Sequence, residues 1–81
     1  MMYEFTITSS DTLPTDKAFD RLTNHFFDRF EGDVLPAITN AQLVFDCGLE
    51  ADSLASALAI VVAEIEALGI KLQGISVPEM V

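Results

Sequence analysis

Apolar and polar residues alternate from the start of the chain. Tyr3, Phe5 and Ile7 fall on one side of residues 2–8, and Glu4, Thr6 and Thr8 on the other. A period of two predicts a half-buried strand. A polar turn follows over residues 9–15 and contains Pro14. The period then lengthens. Ala18, Phe19, Leu22, Phe26 and Phe30 recur at helical spacing, which predicts a helix over residues 16–30 with those residues inward. Thr15 is placed to cap it, and Asp16 sits in the first turn, where the helix dipole favours an acid. Gly32 is the expected stop.

Val34–Thr39 is short and apolar and carries Pro36, so it predicts an edge or irregular strand. Thr39 and Asn40 form a tight-turn signal. Leu43, Phe45 and Cys47 then alternate with Gln42, Val44 and Asp46, predicting a third strand paired to the second as a hairpin. Asp52 or Ser53 caps a second helix running to Leu68, stopped by Gly69. Its inward stripe is Leu54, Leu58, Val61, Ile65 and Leu68. Residues 70–77 predict a last strand through Ile70, Leu72, Ile75 and Val77. Gly74 shifts the phase, as at a bulge, and Pro78 closes the element. Strand, helix, strand, strand, helix, strand packs most economically as one antiparallel sheet with two helices on one face. The expected fold is therefore α+β, of the ferredoxin-like βαββαβ plan.

Size adds one constraint. The 81 residues suffice for one small domain over residues 1–81. A chain this short buries only about 60% of its unfolded surface. Half of it is hydrophobic, 51% with six Phe, so it is expected to fold despite its charge.

Charge changes the picture more. The net charge is -9, the pI about 4.1, and no Lys or Arg occurs from Phe30 to Ile70. That gap holds Glu31, Asp33, Asp46, Glu50, Asp52, Glu64 and Glu66. Such a surface repels phosphates, so neither direct nucleic-acid binding nor attachment to an anionic membrane is expected. No basic region precedes an apolar stretch at the N-terminus, and residues 54–63 are too short to span a bilayer.

The single cysteine, Cys47, excludes an intramolecular disulfide and a cysteine-based zinc site. A reducing cytoplasm fits it. Acidic neighbours would raise the Cys47 pKa and keep the thiol unreactive. His25, the only histidine, has no partner in the sequence for a metal site or a catalytic pair. The acid pairs Glu64/Glu66 and Glu50/Asp52 lack the turn glycine and ligand spacing of a calcium loop. No Gly-rich phosphate loop, nucleophile elbow or histidine pair is present, so no enzymatic activity, metal or cofactor is expected. Enzymes of this plan such as acylphosphatases use an Arg in a Gly-rich loop after the first strand, where this chain has only Ser9, Ser10, Asp11, Thr12, Leu13 and Pro14.

Several short segments carry a resemblance. Tyr3-Glu4-Phe5-Thr6, Leu43-Val44-Phe45-Asp46, Glu50-Ala51-Asp52-Ser53 and the ending Ile75-Ser76-Val77-Pro78-Glu79-Met80-Val81 resemble a group of small bacterial proteins. In that group such an N-terminal domain precedes a helix-turn-helix DNA-binding segment. The sequence stops where that segment would begin. The resemblance therefore implies an accessory domain, standing alone or cut from a longer protein, and transfers no DNA-binding residue.

Two surfaces stand out as candidates. Asp16, Asp20, Asn24, Asp28 and Glu31 lie close to one line on the first helix, with Lys17, Arg21 and Arg29 on its flank. Asp16, Asp20, Asp28, Glu31, Asp33, Glu50 and Asp52 are the expected anionic contacts for a basic partner. They would stand in for nucleic-acid phosphates. The bland alternative is a solvated, solubilising face. Ser56, Ala59, Ile60, Ala63 and Ala67 leave the back of the second helix almost uncharged, a candidate homodimer face. Helix propensity explains the alanines but not Ile60.

Together these predict a small acidic inhibitor that blocks a basic nucleic-acid-binding protein, of the DNA-mimic or anti-CRISPR type. The competing expectation is a dimerisation or regulatory domain of a helix-turn-helix transcription or antitoxin system.

Overall fold

The computed structural model of the chain describes residues 1–11 and 13–77. Its elements are β1 (Met2–Ser9), α1 (Asp16–Phe30), β2 (Val34–Thr39), β3 (Gln42–Glu50), α2 (Leu54–Ala67) and β4 (Leu72–Ser76). The four strands form one antiparallel sheet in the order β2-β3-β1-β4. This is the α+β, ferredoxin-like arrangement. The expected closure of β4 at Pro78 lies outside the described residues.

The period-two pattern explains the layering. Phe5 and Ile7 of β1, Val34 of β2, and Leu43, Phe45, Cys47 and Leu49 of β3 are buried with Phe26 of α1 and Ala57, Val61 and Ile65 of α2. One sheet face therefore packs on both helices. The other face presents Glu4, Thr6, Asp46 and Leu35, joined by the pairings Thr6↔Asp46 and Leu35↔Asp46. Three phenylalanine rings lock α1 to the sheet: Phe26 lies 5.9 Å from Phe30 and 5.2 Å from Phe45, centroid to centroid. Such pairs add about 0.5–1.5 kcal/mol beyond their burial.

The capping residues do what their chemistry predicts. Thr15 accepts from the Ala18 amide at 3.2 Å, and Ser53, not Asp52, accepts from the Ser56 amide at 3.1 Å. At the end of α1 it is Glu31 that takes the left-handed conformation, φ 53°, and Gly32 follows at φ 92°. Asn40 and Ala41 join β2 to β3 with φ 52° and 60°, the sign pattern of a type I′ hairpin.

Some inward positions prove exposed. Ala18 lies in the first turn of α1 and faces water. Leu68 falls beyond the last turn of α2 and is 42% exposed. Ala57, absent from the expected stripe, is fully buried instead. The last strand is shorter than its sequence pattern. β4 is the outermost strand, and Ile75 within it and Val77 just beyond it are exposed. The phase shift near Gly74 is real: Thr8 pairs with Gly74 and Ser9 with Leu72, so Gln73 is the extra residue. Where β1 meets the start of β4, buried Ser9 donates its hydroxyl to the Lys71 carbonyl at 3.0 Å and accepts from the Asp11 amide at 3.0 Å.

Candidate functional site

The topology brings one set of element ends together. Met2 pairs with Glu50 and Val34 with Cys47, the Gly48 amide donates to the Asp33 carbonyl at 2.8 Å, and the Ala51 amide donates to the Met1 carbonyl at 3.0 Å. The start of β1, the end of α1, the start of β2, the end of β3 and the start of α2 thus share one pole. Asp28, Glu31, Asp33, Glu50 and Asp52 all lie at it, and all are exposed. Asp16 and Asp20 do not. At 1.5 Å per residue, Asp16 stands about 18 Å from Asp28 along α1. It shares its end of the helix with Lys17 and Arg21.

The sheet register adds acids that sequence order alone does not reveal as neighbours. Glu4 and Asp46 point to the open sheet face, and with Asp33, Thr6, Leu35 and Gly48 they line a shallow depression beside the pole. The Thr6 hydroxyl donates to Asp46 Oδ1 at 3.4 Å. Of the four Lys and Arg, Lys17 and Arg21 lie in the first half of α1 and Lys71 ahead of β4, away from this pole, whereas Arg29 lies at it, in the last turn of α1, with its Nε 3.5 Å from Glu64 Oε2. The N-terminal ammonium also lies at the pole, 3.0 Å from Glu50 Oε1, with both groups exposed. Such a pair contributes little, so it leaves the field acidic. The alternation of β1 and β3 was the signal that could have assigned Glu4 and Asp46 to this face.

The second surface is the back of α2. Ser56, Ala59, Ile60, Ala63 and Ala67 are all exposed, and Ile60 keeps 49% of its surface in water. No charge interrupts α2 from Leu54 to Ala63.

The chemistry-bearing side chains are occupied by structure. His25 Nε2 lies 2.8 Å from Glu64 Oε1, and Arg29 Nε lies 3.5 Å from Glu64 Oε2. This cluster ties α1 to α2 across 39 positions of sequence, so no local pattern could announce it. Burial, with the Asp46 charge adding to it, pushes the Cys47 thiol up to about 12. Its Sγ donates to the Phe45 carbonyl at 3.4 Å. A thiol held so firmly protonated is not a nucleophile near neutral pH. Among the described residues no group of His, Cys, Asp or Glu is arranged to hold a metal ion. Nor is any helix among them long and apolar enough to cross a membrane.

Comparison with protein-family models, with curated proteins and with solved structures finds no match to this chain.

Proposed function

We propose that this chain is a non-enzymatic acidic protein-binding module. Its acidic pole and the adjoining open sheet face occupy a basic, nucleic-acid-binding surface of a partner protein, in the manner of DNA-mimic or anti-CRISPR inhibitors. The observation that carries this reading is segregation of charge. Glu4, Asp33, Asp46, Glu50 and Asp52 gather at one pole and sheet face, while Lys17, Arg21 and Lys71 lie away from it and Arg29, at the end of α1, is drawn to Glu64. A field of one sign speeds encounter with an opposite surface and excludes competing anions. Asp28 and Glu31 extend the surface, and Asp16 and Asp20 contribute only at longer range. The test is capture of partners from nuclease-treated lysate of the source organism. A basic nucleic-acid-binding protein, retained at low salt and displaced by added duplex DNA, supports the reading. Retention of only neutral or acidic proteins, indifferent to DNA, overturns it.

A second reading is favoured by exposed Ile60 on uncharged α2. In it the chain is a dimerisation or regulatory domain of a helix-turn-helix transcription or antitoxin system, the group its short segments resemble. Self-association without a basic partner would favour it.

A further inference from the structure

The sheet ends in β2 on one side and β4 on the other, and the two edges have different flanks. Beside β2 the open face is acidic. Asp33 just ahead of the strand, and Asp46 and Glu4 on the neighbouring strands, surround exposed Leu35 in one depression. The helix side of β2 is apolar instead. Ile38, on the same side as buried Leu43, is exposed. His25 and Arg29 face Glu64 of α2, so Phe27, two residues from each, falls on the flank of α1 turned away from α2. It is exposed there, beside Gly32 in the turn into β2. The edge backbone between these flanks is open. The Gly48 amide donates to the Asp33 carbonyl, so alternation turns the backbone groups of Leu35, Ala37 and Thr39 towards β3 and those of Val34, Pro36 and Ile38 outward. Val34 and Ile38 there offer an N–H and a carbonyl each, and Pro36 a carbonyl alone.

A strand added at this edge sends its side chains alternately to the two flanks. We infer that β2 takes an extended segment of the basic partner in which basic and apolar residues alternate. The apolar residues lie on the helix side with Ile38 and Phe27. The Lys or Arg residues lie on the open face, where their methylenes cover Leu35 and their charged heads reach Asp33 and Asp46. No Lys or Arg between Phe30 and Ile70 opposes them. The start of α1 plays no part in this choice, because Lys17 and Arg21 balance Asp16 and Asp20 there. Nor does the other edge compete: Thr8, Gln42, Gln73, Gly74 and Ser76 line the open face beside β4, and none is acidic. The inference rests on the acidic docking surface of the first reading and names the segment that this surface holds.

Amide resonances of the intact, isotope-labelled chain test it during titration at low salt. One probe is a capped eight-residue peptide alternating Arg with Val; the other has the same composition with the four Arg in one block. The alternating peptide is expected to bind roughly ten-fold tighter. It should shift the Val34 and Ile38 amides and leave those of β4 unmoved. Asp46→Lys should weaken it while the spectrum of the free chain stays folded. Equal affinity for the two peptides, β2 amides that do not move on binding, or indifference to Asp46→Lys overturns the edge pairing and leaves the acidic docking surface standing. Failure of both peptides to bind overturns the inference and the acidic reading together.

Discussion

The two helices are nearly equal in length, 15 and 14 residues, and lie on the same sheet face, yet they meet water differently. α1 divides its residues strictly. Phe19, Leu22, Phe26 and Phe30 go inward, and Lys17, Arg21, Asn24 and Asp28 go outward. Its one large apolar exception is Phe27, whose ring would touch a Cβ placed on Gly32. α2 buries Ala57, Val61 and Ile65 but keeps apolar residues on its back as well. Neither the packing of this chain nor helix propensity requires Ile60 there. The contrast separates the residues that hold the fold from those that stay exposed without a packing role in it.

Substitutions on the two faces should break that contrast most sharply. Phe26→Ala removes a fully buried ring from the Phe30 and Phe45 contacts and should cost about 3–5 kcal/mol in urea unfolding. That is a large share of the roughly 5–15 kcal/mol available to a domain. On α2, Ile65→Ala should cost about 2–5 kcal/mol. Ile60→Ala, five residues earlier on the exposed side, should stay within about 0.5 kcal/mol for the monomer.

Beneath the helices, Cys47 sets a pH limit. Its thiol ionises at 9.0 when unperturbed but only at about 12 in the fold. Its contribution is complete below about pH 9 and is lost as pH rises from there toward 12, because only the unfolded chain then sheds the proton. Cys47→Ala should flatten that decline in denaturation curves measured across alkaline pH.

The helix ends give a smaller effect. Glu31 ends α1 at φ 53°, whereas Leu68 ends α2 at φ -85°. Glu31→Gly should therefore gain about 1 kcal/mol, or roughly 4–8 °C in Tm. Leu68→Gly should give no such gain. The least effect belongs to the bridge between the helices. Glu64→Gln, at a partly exposed cluster, should cost under about 1 kcal/mol.

Much of this fold is legible in the order of its residues. The alternation of residues 2–8 and 42–47, the caps Thr15 and Ser53, and the Phe stripe of α1 each locate an element. What escapes depends on neighbours distant in sequence. Ile75 and Val77 alternate as a buried strand would, but β4 is the outermost strand and both stay exposed. Leu68 keeps the helical spacing one step beyond the last turn. The acids were legible as charges but not as a surface. Alternation puts Glu4 and Asp46 each on a polar side, but only the pairing of β1 with β3 makes them neighbours on one face, and only the chain reversal after α1 brings Asp33 beside them.

The proposed docking surface for a basic partner is the acidic pole with the open sheet face. The most direct measurement is the salt dependence of the dissociation constant for the captured partner, with wild-type chain and with Asp33→Lys/Asp46→Lys. The account predicts steep weakening with salt for the wild type, and loss of both affinity and salt slope in the variant. Affinity that is flat in salt and the same in both proteins would contradict it.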